Sequence, residues 1–339
     1  MTTMLNGGFS LRHALDALGD DTDVTKTLSL ARTQMSVAQT LELALAIEGK
    51  SGTLASIDLR DCGITGAGCV ALCKAAGQCI ALRELRLCGN DIQDAGCTAA
   101  AELLTASPTL AKLELKYCKL EIPGCSALCG AIGASFSLEE LTLSGNPLSD
   151  ATARVLAESL KATISLTKLS LADTALQVTG CKILCEAAAK SPLVELNLQY
   201  NRISQDMMTS IAQFLSVSSR VTRLNLHSCG IDTDSLVAMA EGVRSGPQRR
   251  GILKLIGVDL SVVVDRLQLP EKEDVEWNTE TILDYIRQLV EDRDLGLGTR
   301  PPTRGSSKNG DGIDEDTQGD EEGEETTVVD DGGLDPGGG

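Results

Sequence analysis

A block of about 28 residues recurs along most of this chain, and that restricts it to architectures that stack one small unit on the next. The repeats open as LASIDLRDCGI from Leu54, LRELRLCGNDI from Leu82, LAKLELKYCKL from Leu110 and LEELTLSGNPL from Leu138. LTKLSLADTAL from Leu166, LVELNLQYNRI from Leu193 and VTRLNLHSCGI from Val221 follow, in steps of 28, 28, 28, 28, 27 and 28. A weaker copy, VTKTLSLARTQM, precedes them and a truncated one, ILKLIGV, closes the series. Such a unit cannot bury its apolar face alone, so neighbours must supply the cover.

Each repeat position has a physical task. The two closing leucines of LxxLxL are two residues apart and share one face of a short strand. The ninth position reads Cys62, Asn90, Cys118, Asn146, Thr174, Asn201 and Cys229. An Asn there donates and accepts, which satisfies backbone groups of a turn; a Cys fills the same space with weaker bonding. Thr65, Ser149, Ser204 and Asp232 stand at position twelve, where helix caps are expected. The helical stretches that follow are rich in small residues, as in CVALCKAAG and CTAAAELL. Strands on one side and slim helices on the other predict a curved arc lined by strands on its concave face.

The pattern LxxLxLxx(N/C)x(L/I) resembles that of leucine-rich repeats, over residues 24–260. The 28-residue length with a full helix per repeat, and the alternation of Asn with Cys or Thr, resemble the ribonuclease-inhibitor class. The repeats of immune nucleotide-binding receptors and of Ran GTPase activators are similar. The expected fold is therefore an α/β leucine-rich-repeat solenoid, with parallel strands on the concave face and helices on the convex one. Residues 1–23 are expected to form an N-terminal cap, and residues 261–295 a C-terminal cap. That cap carries one apolar stripe, Ile282, Leu283, Ile286, Leu289 and Val290, opening at Asn278 and Thr279 just after Trp277.

Residues 296–339 have almost nothing to bury and are expected to be a disordered acidic tail. Residues 301–339 hold twelve acids against Arg304 and Lys308, most of the chain's formal charge of −18. That balance argues against nucleic acid as a partner and suggests attraction for a basic protein. An EF-hand-like string from Ser307 carries Gln318 where a bidentate Glu is required, so calcium is not expected. No segment is apolar for long enough to span a membrane, and the start of the chain does not read as a signal peptide. The expected location is cytoplasmic, with cytoskeletal, ciliary or nuclear association open.

All twelve cysteines fall between Cys62 and Cys229, inside the repeats. Cys69/Cys73, Cys125/Cys129 and Cys181/Cys185 are spaced i,i+4, but each pair offers two thiols where a structural zinc needs about four ligands. Reduced core thiols are expected, with no metal and no cofactor. Neither a GxxxxGK(S/T) loop nor a plausible Ser/His/Asp set is present, and no catalytic residue is expected.

The expected function is a non-catalytic scaffold that binds a protein partner on the concave face and its rim. Position three places Glu84, Lys112, Glu140, Lys168, Glu195 and Arg223 side by side with alternating sign, a ladder expected to neutralise itself. Binding is expected instead from Arg60, Arg86, Glu114, Lys116, Tyr117, Tyr200 and His227. The resemblance implies two alternatives: a GTPase activator, with Arg32, Arg60 and Asn90 as candidates, or a ribonuclease-inhibitor-like protein.

Overall fold

The computed structural model describes residues 4–5, 11–12, 15, 27–48, 52–247, 253–270 and 276–294. The chain divides into two units, Met1–Thr299 and Arg300–Gly339, and the acidic stretch lies outside the described residues. So do the EF-hand-like string and most of residues 1–23.

Among the described residues, ten parallel strands form a single open sheet in chain order. They are β1 (Met4–Leu5), β2 (Thr27–Ser29), β3 (Ser56–Asp58), β4 (Glu84–Arg86) and β5 (Lys112–Glu114). The series continues with β6 (Glu140–Thr142), β7 (Lys168–Ser170), β8 (Glu195–Asn197), β9 (Arg223–Asn225) and β10 (Lys254–Ile256). A helix follows each strand from β2 to β9: α1 (Val37–Glu48), α2 (Gly66–Gly77), α3 (Gln93–Ala106), α4 (Ile122–Ile132), α5 (Asp150–Ala162), α6 (Val178–Ala188), α7 (Gln205–Val217) and α8 (Thr233–Ser245). A final helix, α9 (Thr279–Asp294), follows β10.

The register is the one the repeat spacing predicts. Leu85 pairs with Leu113, Leu113 with Leu141, and Leu141 with Leu169. From β4 to β6 the middle residue is buried and the flanking residues are half-buried. The leucines at positions four and six, such as Leu141 and Leu143, face the helices and are about 1% exposed.

The ninth-position side chains stitch repeats together in pairs. Asn146 Nδ2 donates to the carbonyls of Leu115 and Leu143, while its Oδ1 accepts from the backbone N–H groups of Cys118 and Leu120. Asn90 and Asn201 make the equivalent bonds one pair earlier and one later. The intervening Cys118 has a single S–H, which donates to Leu87 O at 3.3 Å. The Asn repeats therefore carry the hydrogen bonding for both members of a pair.

Helix starts are capped in two ways. Ser149, Ser204 and Asp232 accept from the backbone N–H three residues on, as expected. Thr65 does not: it is extended ahead of α2 but makes no capping bond. Asp94 in the first turn of α3 reaches across to cap α4, accepting from Glu121 N and Gly124 N. Asp150 of α5 does the same for Gly180 N of α6, at 2.8 Å. A Cβ at Gly124 would press into Asp94, which accounts for glycine at the receiving position.

At the far end, Ile282, Leu283 and Ile286 of α9 lie in the same buried cluster as the repeat leucines. Asn278 Oδ1 accepts from Glu280 N and Thr281 N and so caps α9, while Thr279 Oγ1 ties it to Val258 O and Leu260 N. Trp277 packs edge-on against Tyr285 at 5.5 Å.

Candidate functional site

The strand side chains at positions three and five form a floor, and the turn that follows forms its rim. Floor residues from β3 to β6, apart from Ser56 and Thr142, are charged and in contact. Arg60 grips Asp58 through Nε and Nη2, at 2.8 and 2.6 Å. Arg86 lies between Glu84 at 2.6 Å, Glu114 at 3.7 Å and Asp58 at 3.8 Å, and its buried Nε makes no hydrogen bond. Lys112 reaches Glu114, Glu84 and Glu140 at 2.9, 3.4 and 3.5 Å. Lys168 joins Glu140 at 2.5 Å, and Arg223 joins Glu195 at 2.8 Å.

This network shifts the titration of its members. Burial pushes the Asp58 carboxyl up, but hydrogen bonds from the Arg60 guanidinium and backbone outweigh it, and the net shift is downward. Glu140 behaves alike: burial raises it, and Lys168 and Lys112 hold it below the ordinary range. Lys168 is raised by the same bond to Glu140.

From β6 to β9 the deeper floor is uncharged. Ser144 and Ser170 hydroxyls meet at 2.8 Å, Asn197 donates to Ser170, and Asn225 donates to Gln199. The amide oxygens of Asn197 and Asn225 accept from the backbone N–H of Gln199 and His227. Thr142, Ser170, Asn197 and Asn225 line a shallow groove of about 340 Å³, edged by Glu140, Lys168, Glu195 and Arg223. The polar groups of the floor are thus bonded mainly to one another.

The rim differs. Position eight of every repeat turns left-handed: Asp61, Tyr117, Asp173, Tyr200 and Ser228 have φ between 52 and 58°, and Gly89 and Gly145 have 71 and 72°. At Gly145 the constraint is doubled, because a Cβ there would collide with the Tyr117 ring. Tyr117 lies across that glycine and donates its phenolic O–H to Asp173 Oδ2, 56 residues on, at 3.0 Å. Lys116 Nζ stands 5.1 Å from the ring centroid. The bond to Asp173 also raises the Tyr117 phenol above its ordinary pKa. Pinned at both ends, the ring is still 50% exposed. Tyr200, 55% exposed, meets His227 edge-on at 6.0 Å.

The structure thus joins the expected residues in three groups: Arg60, Arg86 and Glu114 through Asp58, Lys116 with Tyr117, and Tyr200 with His227 further along the rim. Asp173, which fixes Tyr117, escaped sequence reasoning; its one signal is an acid at position eight two repeats downstream. Of the residues implied by a GTPase-activator resemblance, Asn90 is 2% exposed with its amide committed to backbone, and Arg60 is held by Asp58.

Most of the thiols are packed into the core; Cys88 instead meets Glu114 of the floor, 3.8 Å from its Oε2. Eleven of the twelve are buried and Cys88 is half-buried, and every one is a free cysteine. Burial pushes Cys125 up to about 11 and Cys118 to about 12, which suppresses the reactive thiolate at neutral pH. The Cys69 and Cys181 pairs bring sulfurs to 3.8 and 4.0 Å of their partners. Among the described residues, no group of three or more His, Cys, Asp or Glu side chains is arranged to hold a metal ion.

A family profile described as "Leucine Rich repeat" matches residues 51–73 and 78–99. The chain carries leucine-rich repeats. Its open parallel sheet, with a helix after each strand from β2 to β9, is the solenoid of that class. No curated protein sequence matches it. Among solved structures, LegL7 from Legionella pneumophila is similar at 16% identity and a TM-score of 0.44, over 73% of this chain and 78% of that one. The TLR13–ssRNA13 complex is similar at 17% identity and 0.42, over 66% of this chain and 32% of that one. The actin-binding site 2 of leiomodin-1 is similar at 13% identity and 0.37, over 44% and 86%. Among the described residues, no helix is long and apolar enough to cross a membrane.

Proposed function

We propose that this solenoid is a non-catalytic scaffold that binds another protein along its concave face and rim, with Tyr117 as the central anchor. The observation that carries this reading is the Tyr117 ring, half-exposed yet fixed by Gly145, Asp173 and Lys116. An exposed aromatic held in one pose loses little freedom on binding, and aromatics lead the residues that dominate interface energy. Tyr200 and His227 extend the rim, and Arg60, Arg86, Glu114 and Lys116 supply a charge pattern that favours one partner over others. The acidic stretch 301–339 adds long-range attraction for a basic partner, an effect that salt screens.

Two finer assignments belong to this proposal. The 28-residue period, the helix in each repeat and the Asn/Cys alternation support the ribonuclease-inhibitor-like class. The free, buried thiols support a reducing compartment, the cytoplasm.

The test is capture of the main partner by the full chain and by Tyr117→Ala. The variant should release the partner faster while its circular dichroism stays unchanged. Deleting residues 301–339 should alter affinity mainly at low salt. If residues 301–339 alone capture the partner and Tyr117→Ala changes nothing, the proposal fails.

A further inference from the structure

The last repeat closes its helical layer and leaves its strand open. Ile282, Leu283 and Ile286 of α9 lie in the core cluster, and so do Leu253 and Leu260, which flank β10 in the chain. The strand between those two leucines is not covered. In every strand from β2 to β9 the middle residue is buried. In β10 the middle residue, Leu255, is half-buried, and Lys254 and Ile256 on either side are exposed. Among the described residues, no strand pairs with the outer edge of β10.

That edge carries unused hydrogen-bonding groups. Inside the sheet, the position-six N–H reaches forward to the next strand, as Leu198 N does to Asn225 O and Leu226 N to Ile256 O. The position-two carbonyl accepts from the next repeat, as Arg83 O does from Lys112 N and Thr222 O from Lys254 N. In β10 these positions are Gly257 and Leu253, and Leu255 between them turns its N–H and carbonyl to the same edge. The side chains are unmatched as well. Position three alternates in sign from Glu84 to Arg223 and then breaks, because Lys254 pairs in register with Arg223, base beside base. Arg223 leans back to Glu195 at 2.8 Å, and among the described residues Lys254 makes no ion pair. Ile256, 41% exposed, ends the floor groove at position five. The other charged or titratable groups near this end have partners: Asp259 accepts from Ser261 N and Oγ, Arg266 pairs with Asp234 of α8, and His227 meets Tyr200.

We infer that the outer edge of β10 docks an extended strand of a partner protein, with an acid opposite Lys254 and apolar residues opposite Leu255 and Ile256. Open N–H and carbonyl groups on a sheet edge are what an added strand bonds. A helix satisfies its own backbone and would leave the edge unpaired. An acid opposite Lys254 restores the alternation that runs along the rest of position three and relieves the two adjacent bases. An apolar residue opposite Leu255 extends the leucine layer, and one opposite Ile256 extends the floor. A second copy of this chain fits less well. Two β10 edges related by a two-fold through Leu255 would set Lys254 against Ile256 and bring no acid to either lysine. The strand is three residues long, so charge and register must supply the selectivity that length cannot.

The probe is a short fluorescein-labelled peptide with one aspartate between pairs of valines and threonines at both ends, titrated with the full chain by anisotropy. Salt is set at about 0.15 M, where exposed charges more than about 8 Å apart are screened. One control peptide carries lysine in place of the aspartate, and another has alternate backbone nitrogens methylated along each edge. The aspartate peptide should bind and the methylated one should not. Lys254→Glu should weaken the aspartate peptide about fivefold or more and strengthen the lysine peptide. Any pull of the acidic stretch on the lysine peptide is the same in both chains, so the comparison isolates Lys254. Lys254 is exposed, and unchanged circular dichroism confirms that the variant folds. Tyr117→Ala should leave this binding unchanged, which separates the inference from the proposal above. Failure of the aspartate peptide to bind, equal binding of the methylated peptide, or indifference to Lys254→Glu overturns the inference. So does self-association in sedimentation that Ile256→Asp abolishes, because a second copy would then be the occupant. Binding that appears only once residues 301–339 are removed overturns it too, in favour of the chain's own acidic segment.

Discussion

The floor of the sheet and its rim are built from similar residues but spend them differently. On the floor, Lys112 touches three carboxylates and Asn197 both donates and accepts within the sheet. A partner that engages these groups must first displace a bond already made. On the rim, Tyr117 uses its hydroxyl for Asp173 and leaves half of its ring to solvent. Density of charge is therefore a poor guide to where binding energy lies. A better guide is exposed apolar or aromatic surface that the fold holds still.

That contrast can be broken or sharpened in several ways. The largest effect belongs behind the floor. Leu143→Ala should lower unfolding free energy by about 2–5 kcal/mol, while Thr142→Ala, one residue away and facing the groove, should stay within about 0.5 kcal/mol. Equal losses in denaturant titration would mean that the strand faces are assigned the wrong way round. Next is the stitching between repeats. Asn146→Ala strips partners from two carbonyls and two N–H groups and should cost about 2–3 kcal/mol. Cys118→Ala removes one weak donor and should cost clearly less. A Cys118 loss as large as that of Asn146 would contradict the paired-repeat account.

A smaller effect tests the floor network. The folded pKa of Glu140 is depressed, so its contribution is present above the ordinary value of 4.5 and drains away as pH falls through the lower folded value. The native chain should therefore lose more stability on acidification than Glu140→Gln does, and parallel acid curves would show that the Lys168–Glu140 pair adds nothing. The smallest effect is at the rim. Asp173→Asn should bring the Tyr117 phenol back down toward its ordinary pKa in an ultraviolet titration, with little change in stability. An unmoved phenol would mean that Asp173 does not hold the ring.

Much of this was legible in the repeat. Strand faces follow from the spacing of leucines, and the tasks of Asn90, Asn146 and Asn201 follow from an amide's two donors and two acceptor sites. The alternating signs at position three were enough to expect a self-neutralising ladder. Long-range side-chain contacts were harder to see. The capping of α4 by Asp94 leaves only a faint trace, an acid at position thirteen facing a glycine at fifteen in the following repeat. Thr65 shows the converse, a good capping residue type at the right place that makes no cap. The Tyr117–Asp173 bond spans two repeats, and nothing local to either residue announces it.

The central claim, that the rim carries most of the binding energy while the floor's charges are largely committed to one another, is tested most directly by one quantitative capture experiment. The full chain would be compared with Tyr117→Ala/Tyr200→Ala and with Lys168→Ala/Arg223→Ala, reading the amount of the main partner retained. The rim variant should lose most of that partner and the floor variant should keep it. Loss in the floor variant with retention in the rim variant would contradict the account.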